Sequence, residues 1–105
     1  MFNTREDGKY IIIEMMGEVD LSCSPGARKQ ILSCLEGDKS LLIDLSEVSY
    51  IDSSGIACLV EGYQTAKKKG LDFGLAGVSE AVMNVLQLAR LDKVFTIYPD
   101  VGSVP

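Results

Sequence analysis

The sequence of 105 residues contains no histidine and no tryptophan. The missing histidine excludes Ser-His-Asp and Cys-His catalysis, histidine proton shuttles and His-containing zinc sites within this chain. The sequence also lacks a GxxxxGK[ST] phosphate-binding loop. We therefore predict no catalytic residue, no metal site and no bound cofactor, and we expect a binding protein in preference to an enzyme.

Cysteine is scarce, and its spacing does not suggest a metal site or a disulfide framework. The three cysteines are odd in number and form no CxxC pair. In a cytosolic protein such cysteines are best interpreted as free thiols. We expect Cys34 and Cys58 to be small core residues and Cys23 to be partly exposed.

Long apolar runs and basic clusters are also missing. No apolar run approaches the roughly 20 residues that a membrane-spanning helix requires, and the first seven residues lack the pattern of a signal peptide. Lys and Arg total 10 against 15 Asp and Glu, a formal charge of −5, which disfavours nucleic acid and anionic membranes as partners. These features predict a cytoplasmic protein that neither binds nucleic acid nor inserts into a membrane.

The remaining composition is that of a globular domain, with 47% hydrophobic and 24% charged residues. We expect one domain over residues 1–105, with its core over 9–98 and an irregular tail over 99–105. Strands are predicted over residues 2–5, 9–16, 40–45, 71–76 and 94–98, and helices over 24–36, 52–69 and from residue 79 onwards. Residues 17–21 are predicted to form a loop.

This order, ββαβαβαβ, predicts an α/β fold. Right-handed crossovers would join the parallel strands of a mixed central sheet. The helices would pack mainly on one face of that sheet.

The distinctive local feature is the run Asp52-Ser53-Ser54-Gly55, which follows an apolar strand and opens a helix. Serine hydroxyls can cap the free N–H groups of a helix, and a carboxylate suits its positive end. The same geometry favours a phosphate on either serine. Plain helix capping is the alternative interpretation, and the missing activating base argues against a nucleophilic serine.

With its flanking residues, this run resembles the signature of the STAS domain family, and more narrowly of bacterial anti-sigma factor antagonists. The supporting segments are residues 42–46, the apolar positions Ile56, Leu59 and Val60, the Gly-Glu-Val-Asp run at 17–20, and the closing portions at 77–82 and 91–95. The resemblance covers residues 9 to about 98.

This resemblance implies that Ser53 is phosphorylated by a partner anti-sigma factor that is also a serine kinase of ATPase fold. The unphosphorylated antagonist would bind that partner and free the sigma factor, and a serine phosphatase would reset the phosphorylated form. Asp20, Asp52, Ser54 and Gly55 are then expected to form the partner-binding and switch surface around Ser53. We expect the free protein to be a monomer.

Two other functions remain open at this point. One is a STAS subunit of a membrane transport complex, of the phospholipid-transport ATPase type, which would dock without phosphorylation. The Ser53-Ser54 pair favours the phosphorylation switch over it. The other is a small serine hydrolase, which the absence of histidine opposes. A family member that serves a regulator other than a sigma factor is also compatible with the sequence.

Overall fold

The computed structural model describes residues 2–21 and 24–103, and it confirms the predicted order of elements. The strands are β1 (Phe2–Asp7), β2 (Tyr10–Val19), β3 (Ser40–Ile51), β4 (Phe73–Ala76) and β5 (Thr96–Tyr98). The helices are α1 (Ser24–Cys34), α2 (Ser53–Lys68) and α3 (Glu80–Leu88), and a single 3-10 turn follows at Val101–Ser103.

The five strands form one mixed sheet in the order β1-β2-β3-β4-β5. β1 and β2 pair antiparallel, whereas β3, β4 and β5 continue the sheet in parallel. The tight turn between the first two strands is possible because Gly8 adopts a φ of +63°, which side chains disfavour. The sheet is therefore mixed, as predicted.

Alternation along the central strands divides the apolar side chains between the two faces of the sheet. Ile13 and Met15 face the helices, and Ile12 faces the opposite side. The main core lies on the helix face, to which all three helices contribute buried residues, including Ile31, Leu59 and Leu86. A smaller cluster on the opposite face is contacted by Tyr98 and Val101. The predicted packing of the helices on one face is confirmed.

The prediction of a loop over residues 17–21 is wrong for its first three residues. β2 continues to Val19 and β3 continues to Ile51, because these two segments pair in parallel, with register shifts along the way. Val19 and Ile51 are both buried. A polar stretch such as Gly17-Glu18 resembles a loop when it is considered alone, and only the neighbouring strand makes it extended.

Several other element boundaries differ from the predicted ones by two residues. β4 begins at Phe73 and β5 at Thr96, and α1 ends at Cys34.

Cys58 is buried as expected, while Cys34 is half-buried at the edge of the core. Burial raises the pKa of the Cys34 thiol, and a hydrogen bond from Gln30 opposes this shift. The expectation for Cys23 falls outside the described residues. Within those residues, no helix is long and apolar enough to cross a membrane.

Candidate functional site

The candidate site lies at the edge of the sheet where β2 and β3 end. Val19 and Ile51 are register partners at these carboxyl ends. The backbone N–H of Asp52 donates to the Val19 carbonyl at 3.1 Å. This hydrogen bond holds the end of β2 next to the first residues of α2.

Asp52 is the N-cap of α2. Its Oδ1 accepts from the backbone N–H of Ser54 at 2.9 Å, from that of Gly55 at 3.1 Å and from the Ser54 hydroxyl at 2.5 Å. The Ser54 hydroxyl, together with the backbone N–H groups of Gly55, Ser54 and Leu21, holds the pKa of the Asp52 carboxyl below its usual range, against the opposing effect of burial. The carboxylate is therefore charged at neutral pH and fixed at the positive end of the helix.

The two adjacent serines have different environments. Ser54 is half-buried, and its hydroxyl is held by Asp52. Ser53 is exposed, and its hydroxyl has no hydrogen-bond partner within residues 2–21 and 24–103. Of these two hydroxyls, only that of Ser53 is both accessible and without a partner among the described residues. The sequence predicted that either serine could cap the helix, but the capping group in the structure is the Asp52 carboxylate.

Gly55 lets the helix start close to the sheet. A Cβ on this residue would lie 2.5 Å from Cγ1 of Ile51 and 2.9 Å from Cγ1 of Val19. Such distances are too short for real carbon contacts, so any side chain here would push α2 away from the ends of β2 and β3. Glycine at this position is a packing requirement that places the two serines against the sheet edge.

Asp20 immediately follows β2 and is partly exposed. Because the next residue, Leu21, donates its backbone N–H to the Asp52 carboxylate, the Asp20 turn and the start of α2 are joined. The structure thereby places all five residues that the sequence singled out at one edge of the sheet, namely Asp20, Asp52, Ser53, Ser54 and Gly55.

Two large exposed side chains beside these residues were not anticipated. Leu21 is 76% exposed and Tyr50 is 50% exposed. Leu21 follows Asp20 directly, and Tyr50 lies opposite Glu18 near the end of β3. An apolar residue is by default expected in the core, so hydropathy alone gave no signal that these two side chains are exposed.

A shallow groove also adjoins the helix start. Its volume is about 320 Å³, and it is lined by Pro25, Arg28, Ser54, Ala57, Cys58 and Glu61. The Arg28 guanidinium contacts the Glu61 carboxylate through two hydrogen bonds of 2.6 and 2.8 Å, which lower the pKa of Glu61. This ion pair joins α1 to α2, and no sequence motif pointed to it.

The residues at this edge of the sheet offer a surface that a partner protein can contact and a serine hydroxyl that can accept a phosphate group. Within the described ranges, no group of three or more Cys, Asp or Glu side chains could hold a metal ion. A phosphate on Ser53 would lie at a helix N-terminus, where the helix dipole favours an anion. It would also add negative charge to a surface that already carries the Asp52 carboxylate.

Comparison with known proteins identifies relatives over most of the chain. The profile of the STAS domain matches residues 1–104. The anti-sigma-B factor antagonist of Bacillus subtilis (strain 168) is 26% identical over 95 residues, which are 90% of this chain and 87% of the relative. An anti-sigma factor antagonist from Mycobacterium paratuberculosis superposes with a TM-score of 0.88 at 25% identity, covering 97% and 87% of the two chains. The unphosphorylated form of the anti-sigma factor antagonist SpoIIAA superposes with a TM-score of 0.81 at 19% identity, covering 92% and 87%.

Proposed function

Because the chain belongs to the STAS domain family, we propose that it is an anti-sigma factor antagonist controlled by phosphorylation of Ser53. In this role it is a binding protein of the cytoplasm and not an enzyme. Unphosphorylated, it binds an anti-sigma factor that is also a serine kinase of ATPase fold. Phosphorylated, it releases that partner, and a serine phosphatase restores the binding form.

The observation that carries the proposal is the contrast between the two serines. The Ser53 hydroxyl is exposed and unengaged, whereas Ser54 is held by Asp52. A kinase needs an accessible hydroxyl, and Ser53 offers one without breaking the cap of α2. Ser54 would have to give up its bond to Asp52 first.

The switch itself requires only a change of surface charge. A phosphate adds about −1.5 to −2 charges at neutral pH, next to a carboxylate whose pKa is already lowered. Asp20 follows the strand that ends at the same edge. Like charges brought together in an interface cost several kcal/mol, a loss of affinity on the order of a hundredfold or more. No refolding of α2 is needed for such a loss.

The exposed side chains of Leu21 and Tyr50 supply the attractive part of the interface. A few side chains near the centre of an interface carry most of its binding energy, and tyrosine is over-represented among them. Leu21 follows Asp20 at the carboxyl end of β2, and Tyr50 lies two residues before Asp52, so both residues are close in the chain to the segments that meet at the start of α2. The relatives add weight to this proposal, since the Bacillus protein SpoIIAA has been solved in a phosphorylated as well as an unphosphorylated form.

Phosphosite mapping of the protein purified from its native cells tests the proposal. Intact mass and peptide fragmentation would be compared for the wild type, Ser53→Ala and Ser54→Ala. We expect one added mass of about 80 Da, the gain from a single phosphorylation, that disappears in Ser53→Ala and persists in Ser54→Ala.

Two outcomes would contradict the proposal. A phosphate that persists in Ser53→Ala and disappears in Ser54→Ala would move the switch to the other serine. No phosphate under any growth condition would favour the docking subunit of a transport complex. Capture of the native partner with the wild-type protein then separates an ATPase-fold kinase from a transporter ATPase.

A further inference from the structure

A second concave site lies at the opposite edge of the sheet, where β2, β4 and β5 begin. The cavity has a volume of about 450 Å³, and its lining includes Tyr10, Phe73 and Thr96, the first residues of these three strands. Pockets that bind small molecules commonly measure about 300–1,000 Å³. β2 has ten residues, so at about 3.3 Å per residue the two sites lie roughly 30 Å apart.

Aromatic side chains supply much of the lining of this cavity. Tyr63 meets Phe73 edge to face, with ring centroids 6.4 Å apart and an interplanar angle of 81°. Tyr10 and Tyr98 complete the aromatic lining. Gly74 contributes only backbone atoms to the lining, and a Cβ there would lie 3.0 Å from the Tyr98 ring. A planar group that enters the cavity would therefore find ring surfaces against which to stack.

The polar groups that line the cavity include hydroxyl groups, which can both donate and accept hydrogen bonds. Tyr10 is hydrogen-bonded to Tyr98, and burial, followed by the effect of Tyr98, raises the pKa of Tyr10 to about 12. The Tyr10 hydroxyl therefore keeps its proton throughout the physiological range. Thr96 provides a further hydroxyl group on the lining.

Two lysines bring positive charge to the rim. The Lys9 ammonium lies 3.5 Å from the Asp72 carboxylate, an exposed pair. The Lys67 ammonium lies 6.0 Å from the centroid of the Tyr63 ring, and it forms no ion pair within the part of the chain that the structure describes. The rim thus carries two positive charges against the one negative charge of Asp72, in a chain with a formal charge of −5.

We propose that this cavity binds a small aromatic anion, a planar ring that carries a phosphate or carboxylate group. The ring lies against the tyrosine side chains, and the anionic group is held at the rim by Lys67. A cation with an aromatic ring beside it is a suitable anchor, because it can contact an anion without being neutralised by a neighbouring carboxylate. This site is separate from Ser53 and does not depend on the proposed function of that residue.

Titration of the full-length protein with phenyl phosphate, followed by ¹⁵N–¹H NMR, tests the proposal. Phenol and inorganic phosphate, which represent the ring and the anionic group separately, are titrated as controls. We expect saturable shifts at the amides of Lys67, Phe73, Gly74 and Thr96 with phenyl phosphate, and weaker binding of either control compound. Lys67→Gln should weaken binding about fivefold, the equivalent of one partly exposed charge contact.

Lys68→Gln is the matched control, because Lys68 is the next residue of the same helix and does not line the cavity. It removes the same charge and should leave the affinity unchanged. The proposal is overturned if phenyl phosphate causes no saturable shifts at the cavity. It is also overturned if both lysine variants weaken binding equally, or if phenol binds as tightly as phenyl phosphate. The dispersed spectrum of each variant reports that it is folded.

Discussion

The Ser54 hydroxyl donates a 2.5 Å hydrogen bond to Oδ1 of Asp52, the same oxygen that accepts the Ser54 backbone N–H at 2.9 Å. One carboxylate oxygen thus engages both polar groups of Ser54 and fixes that side chain at the first turn of α2. The neighbouring Ser53 is left exposed. The two serines therefore have different roles: Ser54 stabilises the start of α2, and Ser53 is available at the surface.

Alanine substitution at each serine should separate these roles. Ser54→Ala removes a hydrogen bond to a charged acceptor and should lower the melting temperature by several degrees. Ser53→Ala removes an exposed hydroxyl without a partner and should leave the melting temperature unchanged. Thermal unfolding followed by circular dichroism measures both. Equal melting temperatures for the two variants would contradict the distinct environments of the serines.

The Asp52 cap should make stability depend on pH. Because the pKa of Asp52 is lower in the folded than in the unfolded protein, its contribution is present above the unfolded value of about 3.9. That contribution is lost as pH falls through the folded pKa. Asp52→Asn keeps an oxygen that can cap the helix but removes the charge. The difference in the free energy of unfolding between wild type and Asp52→Asn, from urea titrations, should be larger at pH 7 than at pH 3. The same difference at both pH values would argue against a lowered pKa.

Close packing of Gly55 should make this glycine intolerant of any side chain. Gly55→Ala places a Cβ 2.5 Å from Cγ1 of Ile51 and should destabilise the protein by about 1–3 kcal/mol. Gly37→Ala is the control, since a Cβ at Gly37 has no neighbour within 4 Å. Chemical denaturation of both variants provides the comparison. A Gly55→Ala variant as stable as the control would contradict the tight approach of α2 to the sheet.

Partner binding should depend on the exposed Leu21 side chain, which follows Asp20 at the carboxyl end of β2. Leu21→Ser should weaken binding to the native partner by about tenfold or more while leaving the fold intact. Leu88→Ser is the matched control, because Leu88 is 87% exposed but lies at the end of α3. Calorimetry or surface plasmon resonance with the captured partner would measure both affinities. Equal effects of the two substitutions would place the interface elsewhere.

Alkaline titration should reveal the buried Tyr10. Its folded pKa of about 12 lies above the unfolded value of about 10, so its stabilising contribution is present below pH 10 and is lost as pH rises towards 12. The Tyr10 hydroxyl should therefore ionise at a pH of about 12 in a ¹³C NMR titration. Tyr98→Phe removes one cause of the shift and should lower the pKa of Tyr10. A pKa unchanged by Tyr98→Phe would contradict the coupling of these hydroxyls.

Local patterns in the sequence were enough to predict the order of the elements. The strand predicted over residues 9–16 is present as β2, and the three predicted helices are present as α1, α2 and α3. The run at residues 52–55 opens the second helix as predicted, although its cap is the Asp52 carboxylate and not a serine hydroxyl. The resemblance of the segment at 52–55 to the STAS signature then identified the family before any contact was known.

Contacts between distant parts of the chain decided the rest. The pairing of Glu18 with Tyr50 makes a strand of residues predicted as a loop, and the approach of Val19 to Gly55 sets the position of α2.

The sequence by itself determined which elements form and which residue types stand at the start of α2, because helical and strand periodicity, capping and turn preferences act over a few residues. Only the tertiary structure decided that Ser53 is exposed while Ser54 is held, that Leu21 faces outwards, and that Lys67 stands at the rim of an aromatic cavity. Exposure and the meeting of separate strand ends depend on how the whole chain packs, and no local stretch of sequence contains that information.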